Sequence, residues 1–341
     1  MPLLNRLPVR TPPAALPGAV TKRAQRDSAE WDEAQWAEAL REGAETEAQM
    51  RTAADSSGQA RGLPGRRSRV LAPCANPDCR AGWLRLWRRR ETPVFEGGWC
   101  CSAACTAALL RAAVAREMDA RGAAHENHRH RVPLGLLLLE QGWITNHDLR
   151  AALAAQKQAG AGRLGTWLVR QQSASEELVT RALGLQWGCP VLGMEVSSPE
   201  GLTALVPRLF VDAFDALPLR VAAGKILYLG FEDHLDPALA LAVERITGLR
   251  VEGGMVRESE FRPAHTRMLE ARFPAVELIE AATEQTLAAA LAKAVERARP
   301  FESRLARVHD CLWLRLWLEP QSGPVPELGS VRDLIGSSSA H

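Results

Sequence analysis

The chain has 341 residues, of which 46% are hydrophobic, and a formal net charge of +2. This length allows two or three domains of about 100–200 residues each, and the charge balance excludes a uniformly basic or acidic protein. The longest apolar run, 132–139, contains Pro133 and falls short of the ~20 residues that span a bilayer, so we expect no membrane insertion. The seven cysteines are expected to be reduced thiols in the cytoplasm, where clustered cysteines indicate metal ligands before disulfides.

Residues 1–70 are rich in Pro, Ala, Arg and Glu and poor in large aliphatic side chains. Such a segment buries too little apolar surface to offset the entropy lost on ordering, so we expect it to be mostly disordered. The exception is a predicted helix from Ser28 to about Thr52, where Trp31, Trp36 and Leu40 recur at near-helical spacing.

Residues 71–121 contain two cysteine pairs at metal-ligand spacing. The turn chemistry of Asn76-Pro77-Asp78 brings the first pair together, and the second pair lies four residues apart at the head of an Ala/Leu-rich helix. A helix N-terminus also favours the thiolate that binds metal. The sequence therefore predicts a closed, structural zinc site with Cys100 outside it, and its ligands are Cys74, Cys79, Cys101 and Cys105.

The element Trp99-Cys100-Cys101-Ser102-x-x-Cys105 resembles the second half of treble-clef-like fingers of the FCS/TRASH kind. This chain departs from them in the first pair, where four residues instead of two separate the cysteines. A hairpin is expected between the pairs, through Trp83, Leu86 and Phe95. Residues 122–131 are read as a linker. Three residues within it, His125, His128 and His130, are alternative ligands with helical rather than metal-site spacing.

The finger region is strongly basic. From Arg61 to Arg131 there are fourteen arginines and no lysine against six acids. Trp83, Leu84, Trp87 and the run Arg88–Arg90 would form a basic, aromatic surface suited to nucleic acid or another anionic partner. The alternative is an Arg-rich segment that only solubilises the hairpin and its surroundings.

A thirty-residue repeat follows. Leu134-Gly135-x-x-Leu138-Leu139-x-x-Gly142, with Leu149, Leu153 and Gln156, aligns without gaps with Leu164-Gly165-x-x-Leu168-Val169-x-x-Gln172, with Val179, Leu183 and Gln186. Each unit predicts a short helix, a tight turn and a longer helix, capped by Asn146 or Ser175. Two such units predict paired helical hairpins.

This repeat resembles the N-terminal domain of type II secretion system protein E and type IV pilus assembly ATPases, whose motif is Arg-Leu-Gly-x-x-Leu-Val-x-x-Gly with spaced leucines and a closing Gln. The resemblance covers 132–270 and implies an αβ subdomain after the hairpins. Its expected elements are a helix from Val206-Pro207, a strand that begins after the lead-in 217–219, its hairpin partner at 226–231, a further strand at 251–256, and helices at 236–247 and 258–269. The expected fold class is therefore α+β: a treble-clef-like finger, tandem helical hairpins and a small αβ subdomain.

In family members that bind cyclic di-GMP, the tandem motifs hold the ligand. The resemblance implies ligand-binding roles here for Leu134, Gly135, Leu138, Gly142, Leu149, Gln156, Arg163, Leu164, Gly165, Leu168 and Gln186. Two positions depart from the motif, because Pro133 replaces Arg in the first copy and Gln172 replaces Gly in the second. Arg131 is the nearest substitute for the missing guanidinium. The alternative is that the leucines are ordinary helical core.

The sequence lacks the P-loop pattern of a secretion motor, since its one Gly-Lys pair, Gly224-Lys225, is followed by Ile226. After the repeat domain we expect a helix–strand extension over 271–319, with the helix at 277–297 and the strand at 305–318, and then a flexible tail over 320–341. The sequence thus predicts a non-enzymatic cytoplasmic adaptor or regulator of secretion or pilus machinery. Nucleic-acid binding through the finger is the alternative.

Overall fold

The computed structural model describes residues 74–80, 93–119, 131–194 and 201–338. The expected disorder and helix in 1–70, the basic surface at 83–90 and the three linker histidines lie outside these ranges. The helices are α1 Ala103–Asp119, α2 Leu134–Glu140, α3 Asn146–Ala159, α4 Leu164–Arg170, α5 Glu176–Trp187, α6 Arg208–Ala213, α7 Pro237–Thr247, α8 Glu258–Glu270 and α9 Glu284–Ala298. The strands are β1 Val94–Phe95, β2 Gly98–Trp99, β3 Leu217–Ala222, β4 Ile226–Phe231, β5 Arg250–Met255, β6 Ala275–Ala281, β7 Glu302–Val308, β8 Cys311–Trp317 and β9 Val331–Ser338. The mixed α+β class predicted from the sequence is confirmed.

The two helical hairpins, α2–α3 and α4–α5, surround a small apolar core of their own, in which Leu138 and Leu168 are fully buried. The second long helix begins behind Ser175 as predicted, since the Ser175 hydroxyl accepts a hydrogen bond from the Leu178 amide. The first begins behind Thr145 and not Asn146, because Thr145 and Asp148 form a reciprocal capping box.

The αβ subdomain has the predicted order of elements. β3 and β4 form an antiparallel hairpin, and β4 pairs in parallel with β5 after the crossover helix α7. Asp236 caps α7 by accepting a hydrogen bond from the Leu239 amide. Within the described residues, no helix combines the length and the apolar character needed to cross a membrane.

The C-terminal region differs from the expected helix–strand extension and flexible tail. It forms a four-stranded sheet in the order β6-β9-β8-β7, in which β9 pairs in parallel with β6 and antiparallel with β8. The helix expected from 277 begins at Glu284, where Thr283 and Thr286 form a capping box, and the residues before it form β6. The predicted strand at 305–318 is two strands joined by a turn. The tail at 320–341 was expected to fray because it is rich in Pro, Gly and Ser, but 331–338 is a central strand with Leu334 fully buried.

The central strands of the C-terminal sheet, β8 and β9, are buried on both faces. Leu312, Leu314 and Leu316 of β8 pack in one core with α9 and α1, whereas Trp313 and Trp317 pack on the other side with the αβ subdomain. The finger helix α1 is therefore part of this sheet's core and not of a separate module.

Candidate functional sites

The four predicted zinc ligands lie together. The sulfur atoms of Cys74, Cys79, Cys101 and Cys105 are all within 4.8 Å of one another. Four thiolates at the ordinary zinc–sulfur distance of 2.3 Å would be about 3.8 Å apart, so small adjustments would bring them onto one tetrahedral ion. These residues could therefore hold a metal ion.

Local structure explains why the cysteines converge. The Asn76 side chain accepts a hydrogen bond from the Asp78 amide, and the Cys79 amide closes the turn on the Asn76 carbonyl (3.1 Å). Cys105 lies in the first turn of α1, where its amide donates to the Ser102 hydroxyl (3.3 Å). Cys100 points away into the core shared by α1 and α9, as the sequence predicted.

The pKa values of the thiols differ in direction. Burial, with further contributions from the Cys79 and Cys105 thiols, raises the pKa of Cys101 to about 12. Burial also acts to raise the pKa of Cys105, but hydrogen bonds from Ser102 and Asn76 outweigh it and lower the value to about 6. Cys105 is thus the thiol best prepared to bind a metal as thiolate.

The finger is joined to the C-terminal sheet by backbone hydrogen bonds and to α7 by an ion pair. The Val94 amide donates to the Pro300 carbonyl (3.1 Å), and the Glu96 amide donates to the Ser303 carbonyl (2.8 Å). The nearly buried Glu117 carboxylate accepts from Arg245 of α7 (2.8 Å). The described finger residues therefore make contacts with other parts of the same chain.

The two copies of the repeat contact each other reciprocally. A Cβ atom on Gly135 would lie 2.6 Å from Leu149 and 3.2 Å from Leu164. One on Gly165 would lie 2.6 Å from Val179, the counterpart of Leu149, and 3.7 Å from Leu134. These are the contacts of two units related by an approximate two-fold axis, and a side chain at either glycine would displace the aliphatic side chain packed against it.

The closing glutamines follow the same two-fold relation. The Gln156 amide donates to the Gly162 carbonyl (2.7 Å), and the Gln186 amide donates to the Val132 carbonyl (2.6 Å). Each long helix is thereby tied to the residues that precede the other hairpin's short helix. Both glutamines are engaged in holding the pair together.

A cavity of about 700 Å³ lies between the second hairpin and the αβ subdomain. Its walls are apolar side chains, among them Leu134, Leu164, Val169, Val179, Leu183 and Val256. Its charged groups are three arginines, Arg163, Arg170 and Arg262, and four carboxylates, Glu176, Glu232, Asp233 and Glu258.

The cavity gathers only some of the residues for which a ligand role was expected. Leu134, Arg163, Leu164 and Gly165 line it. The others do not, and the positions of most indicate packing or turn roles: Leu138 and Leu168 are core, Leu149 packs under Gly135, the two glutamines bind backbone carbonyls, and Gly142 adopts a φ of 67° in the turn.

The two departures from the motif have different consequences. Pro133 precedes α2 with φ −56° and ψ 139°, close to the extended backbone of Arg163 before α4, so the chain path is kept while the guanidinium is lost. Arg131 does not replace it, because its guanidinium lies 3.1 Å from the centre of the Trp187 ring. Gln172 adopts a φ of 57° and so follows the left-handed turn of Gly142 at a cost in strain.

Sequence reasoning missed the cavity wall formed by Glu232, Asp233 and Arg262. The one sequence signal for the acids was a pair of carboxylates directly after a predicted buried strand. Arg262 gave no signal, because only the folded chain brings α8 against the second hairpin.

The described chain thus combines a four-cysteine cluster, a two-fold pair of helical hairpins and a cavity-bearing αβ subdomain. No family model matches it. Over 131 residues, 38% of this chain, the sequence is 30% identical to the type IV pilus assembly ATPase PilB of Thermus thermophilus, and that stretch is 14% of the relative's length. The predicted resemblance to secretion and pilus ATPases is confirmed by this match.

Solved structures with similarity to this chain include MshE with cdg and the N-terminal domain of XpsE. The MshE structure is 26% identical, with a TM-score of 0.31, and the match covers 40% of this chain and 99% of that one. The XpsE domain is 23% identical, with a TM-score of 0.27, and the match covers 39% of this chain and 92% of that one.

Proposed function

We propose that this chain is a non-catalytic regulator or adaptor of a type II secretion or type IV pilus machine. The observation that carries the proposal is the 131-residue similarity to PilB in a sequence without a P-loop pattern. Gly224-Lys225 forms the turn between β3 and β4, with Gly224 at a φ of 66°, and is therefore no phosphate-binding loop. The chain would act by docking on the machine while another protein supplies the motor.

We further propose that the cavity binds cyclic di-GMP, the ligand in the MshE structure. Its volume lies within the range of small-molecule sites, its apolar walls suit the faces of the bases, and Arg163 supplies a charge for a phosphate. Because Pro133 replaces the arginine of the first motif copy, we expect Arg163 alone to contact the ligand, where a chain with both motif arginines would use two.

The four-cysteine cluster is proposed to hold one structural zinc ion. Four thiolates close the tetrahedral shell and leave no position for a substrate, so the ion would stabilise the finger and take no part in chemistry. Because the described finger residues contact the C-terminal sheet, this role is preferred over nucleic-acid binding, for which the proposed basic surface lies outside the described residues.

Calorimetric titration of cyclic di-GMP tests the sensing role. We expect the wild-type protein to bind, and Arg163→Ala to weaken binding about tenfold or more, since a hydrogen bond to a charged group contributes about 1.5–3 kcal/mol. Arg150→Ala is the matched control, because this exposed arginine lies on the first hairpin and outside the cavity. Equal affinities of wild type and Arg163→Ala would contradict the proposed binding site.

A further inference from the structure

The arginine proposed to hold the ligand is already paired in the structure. Arg163 Nη1 donates to Glu232 Oε1 at 2.9 Å, and Nη2 lies 3.9 Å from Asp233 Oδ2. Only 9% of the Glu232 side chain is exposed, whereas 55% of the Arg163 side chain is. An anion entering the cavity must therefore compete with a carboxylate that the fold holds in place.

The competing carboxylate belongs to another part of the fold. Arg163 precedes α4 in the helical pair, and Glu232 follows β4 directly in the αβ subdomain. Their ion pair thus crosses the cavity and joins its two walls. A second polar contact between those walls is the hydrogen bond from the Ser259 amide to Glu176 (2.6 Å).

We propose that Glu232 is a built-in competitor of the ligand phosphate, which holds Arg163 in the ligand-free protein and releases it on binding. This inference rests on the proposed cyclic di-GMP site. Binding of the ligand then breaks a contact between the helical pair and the αβ subdomain, so both parts of the fold change their contacts when the cavity is occupied.

The exchange does not leave the nearly buried Glu232 carboxylate without a partner. Arg262 Nε lies 3.3 Å from Glu232 Oε2, and its Nη2 lies 2.9 Å from Glu258. Glu232 would keep Arg262 as its partner after Arg163 turns to the phosphate. Since a buried carboxylate without a partner is costly, this second arginine makes the exchange energetically feasible.

Titration of cyclic di-GMP into the full chain and two variants tests the proposal. Glu232→Gln removes the competing charge, and we expect its affinity for the ligand to be about tenfold higher than that of wild type. Glu258→Gln is the matched control, because it removes a carboxylate from the same cavity but one that pairs with Arg262 and not Arg163. We expect its affinity to change by less than about threefold.

The outcomes distinguish failure of this inference from failure of the proposed function. Equal gains in affinity in both variants would show a general effect of cavity charge and would overturn the role of Glu232. Unchanged affinity in Glu232→Gln, when wild type binds, would overturn it as well. The sensing role would stand in both cases. Binding by Glu232→Gln alone would support the competition and the site together. Absence of binding by every variant would remove the sensing role and the competition with it.

A second variant and a double variant test the proposal further if Glu232→Gln is unstable. Glu232→Asp keeps the charge but withdraws the carboxylate from Arg163, and we expect an intermediate gain in affinity. The double variant Arg163→Ala with Glu232→Gln should lose that gain, because the effect acts through Arg163. A gain that persists without Arg163 would overturn the proposal.

Discussion

At the residue scale, the buried pair of Arg315 and Asp333 joins the central strands of the C-terminal sheet. Both side chains are fully buried, and Arg315 donates to the two Asp333 oxygens at 2.7 and 2.8 Å. The Trp313 ring nitrogen also donates to Asp333 (2.7 Å), and Arg315 donates to the Leu205 carbonyl (2.9 Å). Because so many of its polar atoms are bonded, the pair fixes the register of β8 and β9 within an otherwise apolar core.

We expect Asp333→Ala to lower the free energy of unfolding by about 3–5 kcal/mol, because it leaves the Arg315 guanidinium buried without a counter-charge. Urea denaturation followed by circular dichroism measures the loss. The double variant Arg315→Met with Asp333→Leu is the control and should lose far less, since no charge is left behind. A loss below about 1 kcal/mol in the single variant would contradict the assigned role.

At the element scale, the two hairpins keep the same turn geometry although their turn residues differ. After α2, the amides of Gly142 and Trp143 donate to the carbonyls of Leu139 and Leu138. After α4, the amides of Gln172 and Ser173 donate in the same way to Val169 and Leu168. The left-handed turn is therefore kept even where glycine is absent.

We expect opposite effects from substitutions at the two turns. Gly142→Ala should reduce stability by about 1 kcal/mol, and Gln172→Gly should increase it by up to about the same amount, because only glycine adopts positive φ without strain. Thermal unfolding measures both. Gln171→Gly is the control: its φ of −83° is ordinary for any residue, so glycine there should destabilise. A loss of stability in Gln172→Gly would contradict the strain argument.

The sequence predicted those elements well whose local patterns agree with the fold, and poorly those whose structure depends on partners distant in the chain. The bounds of β4 follow from its apolar run and the Gly224 turn, and the four cysteines follow from their spacing. Residues 277–281 of β6 were read as the start of the following helix, because the strand's pairing partner β9 is distant in the chain. β9 was read as a tail because the surrounding segment 320–341 is rich in Pro, Gly and Ser and its partner β6 is distant in the chain. The cavity depends on Glu232 and Arg262, which only the tertiary fold brings to Arg163.

At the scale of the whole molecule, the finger and the C-terminal sheet form one structure although some two hundred residues separate them in sequence. The Ser303 hydroxyl donates to the Val94 carbonyl (2.7 Å), and the Gly97 amide donates to the Glu302 carboxylate (2.9 Å). Leu110 of α1 is fully buried in the same core as Leu291 of α9. The finger thus covers the first residues of the β7 edge, whose backbone groups would otherwise be less fully paired.

We therefore expect removal of the metal to weaken the C-terminal sheet as well as the finger. Chelation should lower stability by about 4 kcal/mol relative to protein in zinc at about a thousand times its dissociation constant. It should also speed amide hydrogen exchange in β7 and α9 more than in β3 and β4. Cys101→Ser should reproduce the effect, and Cys189→Ser, outside the cluster, should not. Wild-type purified protein with much less than one equivalent of zinc would contradict the site.

The position of β9 has a consequence for how the chain matures. The strand that joins β6 to β8 follows both of them in the chain, so neither neighbour acquires its full hydrogen bonding until β9 has been synthesised. Nascent chains would expose the flanks of an unfinished ladder on the ribosome, and a sheet closed by distant contacts forms slowly. Until β9 is available, β6 and β8 remain incompletely paired, and we expect this sheet to depend on protection from aggregation during biogenesis.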